Sequence, residues 1–205
     1  MPDFASRDPL MPAFWDERFE RQFTPWDRGS APAALRAFVA QSPESLTTAG
    51  RPPAVLLPGC GSAYELALML DAGWDATAID FSPVAVARAK ELAGRHAGHI
   101  VQADFFTYTP HKPLDLVYEQ AFLCAMPRAR WPEVAERWAR LLAPGGLLAG
   151  YFFFDDVPKG PPFGIERAQL DALLAPHFDC IADDPVADSI PVFAGKEHWM
   201  VWRRR

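Results

Sequence analysis

The chain has little of what marks secreted, membrane-spanning or nucleic-acid-binding proteins. Its 205 residues include only three cysteines, an odd number at wide spacing, which fits neither a disulfide framework nor a metal cluster. No apolar run is long enough to span a bilayer, and the N-terminus lacks the apolar core of a signal peptide. Acidic residues outnumber basic ones by 26 to 20, and this net charge of −6 disfavours a phosphate-backbone partner. We therefore expect a cytoplasmic protein that binds neither membranes nor nucleic acids.

The sequence also lacks the patterns of several common site and assembly types. No Ser–His–Asp arrangement and no metal-ligand spacing is present, and the five histidines are scattered along the chain. We therefore expect no bound metal. Heptad repeats are missing as well, and together with the net charge this favours a monomer.

What the sequence does have is the alternation of a parallel α/β sheet. Half of the residues are apolar and 13% are aromatic, enough for one domain with a core. Apolar runs alternate with helical patterns from residue 54 onward, which predicts a sheet with helices on both faces. The predicted strands are Ala54 to Leu57, Asp75 to Ile79, Ile100 to Gln102, Leu114 to Tyr118, Leu147 to Phe154, Phe178 to Ala182 and His198 to Trp202. The predicted helices between them are Tyr64 to Asp71, Pro83 to Ala93, Pro132 to Leu142 (stopped by Pro144-Gly145-Gly146) and Glu166 to Leu174.

The two ends of the chain depart from this alternation. No helical pattern joins the last two predicted strands, so we expect an antiparallel return and a reversed last strand. Pro12 and Pro32 each precede apolar residues at helical spacing, which predicts two N-terminal helices. We therefore expect residues 1–50 to form a helical lid on one domain at residues 51–205, with the stretch from Ser42 to Pro53 as linker.

The most informative motif is a Gly-x-Gly turn between the first predicted strand and helix. Residues 55–57 are apolar, Gly59 and Gly61 form the turn, and a helical pattern follows. Glycines allow a ligand to come close to the backbone, and the helix start offers free N–H groups. Asp80 ends the next apolar run about 20 residues later, where a carboxylate can hold a ribose. A dinucleotide fingerprint requires a small residue where this chain has Tyr64, so the pattern instead predicts a site for S-adenosylmethionine (SAM).

Further candidate ligands stand where the other predicted strands end, because parallel sheets bind ligands at those ends. Asp80 can accept hydrogen bonds from both ribose hydroxyls, and Asp104 can accept one from an adenine amino group with Phe105 stacked nearby. Glu119 and Gln120 follow the fourth strand. Each carboxylate alone is as readily an ordinary surface or capping residue, but their shared position favours a binding site.

Aromatic residues of the N-terminal segment are candidate contacts for the sulfonium cation of SAM. An indole face attracts a cation by about 1–2 kcal/mol when water is excluded, which favours Trp15 and Trp26. Phe14 and Phe19 fit equally well as the apolar face of a packed helix.

The stretch that leaves the fifth predicted strand, residues 152–163, is a second candidate wall of the site. It becomes a stiff Pro/Gly loop, and loops at this edge of a sheet commonly position substrate. Asp155 and Asp156 within it are candidates for a base or a polar rim, although paired loop carboxylates are more often solvated.

Several motifs fall in a fixed order along the chain and together resemble a known family. They are Phe14-Trp15-Asp16-Glu17-Arg18-Phe19, Thr24-Pro25-Trp26-Asp27, Leu57-Pro58-Gly59-Cys60-Gly61, Ala103-Asp104-Phe105-Phe106, Phe122-Leu123-Cys124-Ala125-Met126, Gly160-Pro161-Pro162-Phe163 and the ending Gly195-Lys196-Glu197 with Val201-Trp202-Arg203. The sequence resembles the thiopurine methyltransferase superfamily, and particularly its thiol and halide methyltransferase branch, over nearly its whole length. The glycine turn is generic, whereas the Pro-Trp-Asp and Gly-Pro-Pro-Phe motifs are much more specific.

This resemblance implies a fold and a set of cofactor contacts. The fold is a seven-stranded Rossmann-like α/β sheet with a reversed last strand. The implied SAM contacts are Trp15, Trp26, Gly59, Asp80, Asp104 and Phe105, with Phe19 where family members often carry Trp. The positions of Gly61 and Glu119 in the predicted turn and strand end add these two residues to the candidates.

The acceptor side of the implied site departs from the family pattern. The thiol and halide branch commonly has Asp-Tyr-Thr-Phe where this chain has Glu119-Gln120-Ala121-Phe122. The family tyrosine is implied to face the nucleophile, so Gln120 in its place argues against halide methylation. The candidate substrate contacts are Gln120, Phe122, Pro162 and Phe163.

The sequence thus predicts an enzyme that transfers the SAM methyl group to a small molecule, with a thiol sulfur as the favoured acceptor. Gln120 and Asp156 are the candidate catalytic residues, although a thiol needs little acid–base help. Two alternatives stay open: a SAM-binding protein without turnover, and a nicotinamide-dependent oxidoreductase. The acidic net charge disfavours a nucleic-acid methyltransferase.

Overall fold

The predicted strands form one seven-stranded sheet in the computed structural model, which describes residues 3–41, 46 and 50–205. They are β1 (Ala54–Pro58), β2 (Asp75–Asp80), β3 (Ile100–Gln102), β4 (Leu114–Gln120), β5 (Leu142–Phe153), β6 (Phe178–Pro185) and β7 (Glu197–Arg204). Their order across the sheet is β3-β2-β1-β4-β5-β7-β6. Neighbouring strands from β3 to β5 are parallel, while β7 runs antiparallel to both β5 and β6. The predicted reversed last strand is confirmed, and it lies one position in from the edge of the sheet.

Helices cover both faces of this sheet. Within the described ranges they are α1 (Pro12–Glu20), α2 (Ala33–Gln41), α3 (Tyr64–Asp71), α4 (Pro83–Ala93), α5 (Trp131–Leu141) and α6 (Arg167–Leu174). Helices α2, α3 and α4 bury Leu35, Leu66 and Val86 in one apolar cluster. Helices α5 and α6 bury Trp138 and Leu170 in a second cluster. The strands supply both clusters, so the core has two layers separated by the sheet.

The side-chain alternation of the strands explains how one sheet feeds two clusters. In β1, Val55 and Leu57 belong to the α2–α4 cluster, whereas Leu56 belongs to the α5–α6 cluster. Successive side chains of a strand point to opposite faces, so a central strand with helices on both sides is apolar throughout. This is why the β1 sequence reads as a continuous apolar run.

Local signals set the start of α4 at the residue expected from the sequence. The Ser82 hydroxyl accepts a hydrogen bond from the Ala85 N–H at 3.0 Å, and Pro83 occupies the first turn, where its missing N–H costs nothing. At α6, Glu166 is the capping residue rather than the first helical residue, and it forms a capping box with Gln169.

The boundary between α5 and β5 differs from the expected one. The helix ends at Leu141, and β5 begins at once with Leu142, whose φ of −82° and ψ of 138° are extended. Leu114 of β4 pairs with Leu142 and Leu116 pairs with Leu147, so residues 143–146 form an irregularity within the strand pairing. The helix thus ends before the Pro-Gly-Gly sequence, which lies at an irregularity within β5 rather than ahead of the strand, because pairs with β4 flank it on both sides.

The N-terminal part of the chain is divided between the core and the edge of the sheet. Helix α2 belongs to the core, since Leu35, Phe38 and Val39 are buried in the same cluster as β1. The predicted linker lies largely outside the described residues, and the division at residues 50 and 51 stays a prediction. No helix in the described ranges is both long and apolar enough to cross a bilayer.

The close pairing of β4 and β5 gives a test of this fold. Gly150 pairs with Glu119, and a Cβ on Gly150 would lie 1.8 Å from the Glu119 carbonyl oxygen. We expect Gly150→Ala to lower the free energy of unfolding by about 3 kcal/mol or more, because the backbone must shift. Urea denaturation measures this loss. Gly98→Ala, with nothing within 4 Å of the added Cβ, is the matched control and should stay within about 0.5 kcal/mol of wild type. Equal stabilities of the two variants would contradict the pairing.

Candidate functional site

A cavity of about 800 Å³ lies at the carboxyl ends of β1, β2 and β4. Parallel strands end at one edge of the sheet, so the turns that follow them converge there. The N-terminal segment, defined as residues 3–41, contributes the opposite wall through residues between Phe4 and Arg28. The loops around residues 160–162 and 192–193 complete the lining. The predicted site therefore corresponds to a real cavity.

The glycine turn after β1 forms the floor of this cavity. Gly59, Gly61 and Ala63 have φ values of 57°, 50° and 52°, so the backbone turns through three left-handed residues before α3 starts. A Cβ on Gly59 would lie 2.6 Å from the Phe122 ring, so only glycine fits this contact. Cys60 donates its N–H to the Ile79 carbonyl at 3.0 Å and joins the turn to β2. The turn therefore exposes backbone to the cavity at short range.

Asp80 stands at the end of β2 and holds this turn in place. Its two carboxylate oxygens accept N–H hydrogen bonds from Gly61 at 3.0 Å and Ser82 at 2.9 Å. The side chain is buried (the residue is 7% exposed), and this burial raises the pKa of Asp80 to about 6 against the pull of the two N–H donors. Each oxygen keeps a second lone pair, so Asp80 can still accept from a vicinal diol in the cavity.

Asp104 and Phe105 line the next part of the cavity, after β3. The Asp104 carboxylate accepts the Phe106 N–H at 2.8 Å, which fixes the side chain at the start of the loop. The Phe105 ring is buried and meets the Phe122 ring edge-on, with centroids 4.8 Å apart. A flat apolar surface beside a hydrogen-bond acceptor suits a purine ring with an amino group.

Three aromatic rings of the N-terminal segment face the glycine turn across the cavity. Trp26 lies between the other two, with centroids 5.4 Å from Trp15 and 6.1 Å from Phe19. The Trp15 indole donates to the Pro9 carbonyl at 2.8 Å, which sets its orientation. Phe19 lies over Gly61, where an added Cβ would be 3.4 Å from its ring. These rings give the cavity an electron-rich wall.

Hydrogen bonds tie this wall to the loops that carry the glycine turn and α4. Asp16 accepts from the Ser82 hydroxyl at 2.5 Å, and Asp27 accepts from the Ser62 hydroxyl at 2.6 Å. The Arg28 guanidinium adds an ion pair with Asp188, at 3.3 Å, from the loop between β6 and β7. The N-terminal segment is thus fastened over the cavity at several points.

The residues present fit SAM. Asp80 offers acceptors for the ribose hydroxyls, Asp104 and Phe105 suit the adenine, and the turn at Gly59 lets the ligand reach the backbone. The rings of Trp15 and Trp26 suit a sulfonium cation. A volume of about 800 Å³ leaves room for a small acceptor beside it.

The structure brings most of the predicted site residues into the cavity lining but not all. Those that line it are Trp15, Phe19, Trp26, Gly59, Gly61, Asp80, Asp104, Phe105, Gln120, Phe122 and Pro162. Asp156 is exposed, and Phe163 packs against the α5–α6 cluster; neither is part of the lining. The proposed base is therefore in solvent, and one proposed substrate contact packs into the core beside Pro162, which does line the cavity.

Glu119 is also absent from the lining, but it shapes the site from behind. It is 1% exposed, and its Oε1 accepts the N–H groups of Phe122 and Leu123 at 3.1 and 3.0 Å. Burial raises the pKa of Glu119 to about 8. Its Oε2 has no partner within the described chain. Glu119 thus fixes the loop that presses Phe122 onto Gly59, and its role as a direct cofactor contact stays a prediction.

Glu65 and Tyr118 are among the polar lining residues that sequence reasoning missed. Glu65 lies in the first turn of α3, and burial raises its pKa to about 7. Its position just after the glycine turn could have indicated Glu65 as a site residue from the sequence. The buried Tyr118 donates its hydroxyl to Gln120 Oε1. Two residues apart on β4, their side chains share one face, a periodicity that was visible in the sequence.

Comparisons with known proteins identify similar chains. A family model described as thiopurine S-methyltransferase (TPMT) matches residues 10–205. The chain is 31% identical over 167 residues to probable thiol methyltransferase 2 of Arabidopsis thaliana, covering 79% of this chain and 71% of that one. It is 28% identical over 200 residues to thiocyanate methyltransferase 1 of the same plant, covering 93% and 84%. The fold resembles 1,6-didemethyltoxoflavin-N1-methyltransferase of Burkholderia thailandensis, with a TM-score of 0.72, 21% identity and coverage of 99% and 93%.

The buried carboxyl group of Asp80 predicts a pH effect on stability. Its pKa is about 6 in the fold and 3.8 ordinarily, so the folded form holds its proton to higher pH. The stability this gives below pH 3.8 is lost as the pH rises through 6, by about 3 kcal/mol. Urea denaturation of the ligand-free protein between pH 4 and 7 should show this fall in wild type and a flatter curve for Asp80→Asn.

The matched control for this experiment is Asp179→Asn. Asp179 is on the surface, and the Arg205 hydrogen bond lowers its pKa, so its contribution has the opposite sign. This variant should keep the wild-type fall between pH 4 and 6. Parallel curves for wild type and Asp80→Asn would show that Asp80 is not buried in this way.

Proposed function

Because the chain belongs to the thiopurine S-methyltransferase family, we propose that it transfers a methyl group from SAM to the sulfur of a small thiol. The observation that carries this proposal is the position of Asp80 and the glycine turn opposite the aromatic wall. SAM bound at the glycine turn would have its sulfonium cation near the indole rings of Trp15 and Trp26, which line the same cavity. Two relatives, a thiocyanate methyltransferase and a probable thiol methyltransferase, are consistent with a small sulfur acceptor.

Binding and orientation are the contributions of this chain's own residues. When bound, SAM supplies an electrophilic methyl group on a sulfonium sulfur. Asp80 would accept from the ribose hydroxyls, and Asp104 with Phe105 would hold the adenine. Trp15 and Trp26 would attract the cation and keep water away from it. Correct orientation of two reactants alone can contribute roughly 7–11 kcal/mol in favourable cases.

The acceptor end of the cavity suits a sulfur nucleophile that arrives as a thiolate. Phe122, Cys124, Pro162 and Phe193 line it, and such surfaces exclude water from the anion. An ordinary thiol has a pKa of about 8.5, so a few per cent is ionised at neutral pH without any base. A distant Asp156 is therefore compatible with activity on thiols.

The protein's own cysteines do not compete for the methyl group. Cys60 and Cys124 both line the cavity, but burial raises the pKa of each well above that of an ordinary thiol. They stay protonated, and a thiol is a far weaker nucleophile than a thiolate. The cavity can therefore hold two cysteines beside a methyl donor.

We also propose a cytoplasmic location and a monomeric state. All three cysteines are free thiols, which suits a reducing compartment. Size-exclusion chromatography with light scattering would test the oligomeric state, and a mass of twice the 22.8 kDa of one chain would contradict it.

The aromatic wall predicts a loss of cofactor affinity on truncation. We expect Trp26→Ala to weaken SAM binding more than ten-fold, because the cation–π attraction and part of the packing against Trp15 and Phe19 disappear. Trp26→Phe keeps a ring and should retain most of the affinity. Calorimetric titration measures both, and thermal melting checks the fold. An unchanged dissociation constant for the alanine variant would remove Trp26 from the site.

The acceptor is tested by following S-adenosylhomocysteine release from SAM. The panel contains aliphatic thiols, aromatic thiols, sulfide, selenite and iodide. We expect turnover with thiols and little with iodide, because Gln120 replaces the family tyrosine. SAM binding without turnover on any acceptor would favour a non-catalytic binding protein. Absence of SAM binding would contradict the proposed function altogether.

A further inference from the structure

The hydrogen bond between Tyr118 and Gln120 gives the acceptor end of the cavity a defined polarity. Gln120 is half-buried at the carboxyl end of β4, and Tyr118 is 3% exposed on the same face of the strand. Both residues line the cavity. Burial raises the pKa of the Tyr118 phenol well above its ordinary value, so the hydroxyl keeps its proton and acts as a donor. Its acceptor is Gln120 Oε1.

This bond fixes which end of the Gln120 amide is free. The Tyr118 phenol binds Oε1, so the amide nitrogen points the other way. Its two hydrogens have no hydrogen-bond acceptor among the described residues and are available to a ligand. A primary amide carries two N–H donors, and the bond from Tyr118 to Oε1 leaves both of them available to a ligand. Neither an amide oxygen nor a protonated phenol is basic enough to remove a proton at neutral pH, so a nucleophile here meets N–H donors and no base from this pair.

We propose that Tyr118 is a positioning residue that orients Gln120, and that the Gln120 amide donates to the acceptor sulfur and selects a thiolate. The inference rests on the proposed function and names its acceptor class. A neutral amine or alcohol must lose a proton during methylation, and neither the Gln120 amide nor the protonated Tyr118 phenol is a base that could accept it. A thiolate arrives without a proton and accepts from N–H groups. The Tyr118 hydroxyl thus acts through Gln120, which stands where the family commonly has a tyrosine.

The energy scale is sufficient for a measurable effect. A hydrogen bond to a charged group is worth several-fold to roughly a hundred-fold in an equilibrium or rate, more than a bond between neutral groups. The neighbourhood strengthens the bond, because Phe122, Cys124 and Phe193 provide a mostly apolar lining that lowers the local dielectric constant. A hydrogen bond from the Gln120 amide to a thiolate is therefore stronger here than the same bond in water.

The test is a double-mutant cycle on the full-length enzyme with a thiol from the panel. Tyr118→Phe removes only the hydroxyl, and Gln120→Leu removes the amide. We expect each to lower kcat/KM about ten-fold, and the double variant to lose no more than Gln120→Leu alone. SAM affinity should stay within two-fold of wild type. Gln120→Glu, which replaces the donor by a carboxylate, should lose more than Gln120→Leu, because it repels a thiolate.

Tyr151→Phe is the matched control for losing a buried phenol. Tyr151 belongs to the same apolar cluster as Tyr118, and its hydroxyl accepts the Ala34 N–H at 3.2 Å, but it does not line the cavity. It should change melting temperature rather than kcat/KM. Additive losses in the cycle, or equal kinetic losses in Tyr118→Phe and Tyr151→Phe, would overturn the role of Tyr118. A wild-type enzyme that binds SAM but turns over no thiol would overturn the proposed function first, and this inference with it.

Discussion

The site depends on the hydrogen bonds that the Asp80 carboxylate accepts. The carboxylate accepts hydrogen bonds from the glycine turn and from Ser82, so it joins the ends of β1 and β2 at the floor of the cavity. Ser82 in turn caps α4 and binds Asp16 of the N-terminal segment. The buried Asp80 side chain thus connects β1 and β2 directly, and through Ser82 it is linked to α4 and the N-terminal segment. Asp80 and Ser82 each take part in several of these hydrogen bonds, so a shift of either residue would break more than one bond. This holds the shape of the cavity.

This arrangement has an electrostatic cost that the ligand can offset. Asp80, Glu65 and Glu119 are buried, and burial raises the pKa of each. Burial makes the ionised form of each group costly in the empty fold and favours the protonated form, and a bound cation lowers the cost of ionisation. A sulfonium ligand gains from the same field. These buried carboxyl groups therefore lower the stability of the free protein while they favour binding of a cationic cofactor.

Sequence patterns predicted local structure well where a single segment carries the whole signal. Helices α3 and α4 begin and end where expected, because a glycine turn, a Ser cap and a Pro in the first turn act within a few residues. The predicted start of β5 was wrong, because pairs with β4 on both sides of residues 143–146 keep this stretch within the strand. The strand ends were predicted for the same local reasons, and with them most of the cavity lining.

The α/β alternation, the family and the strand-end residues could be read from the sequence, since these follow from periodicity and short motifs. Which side chains share the cavity follows from the folded chain. The fold brings Trp15 and Trp26 into the cavity lining, held by hydrogen bonds such as that from the Ser62 hydroxyl to Asp27, and leaves Asp156 in solvent. Such contacts depend on long-range packing and burial, which no short stretch of sequence encodes.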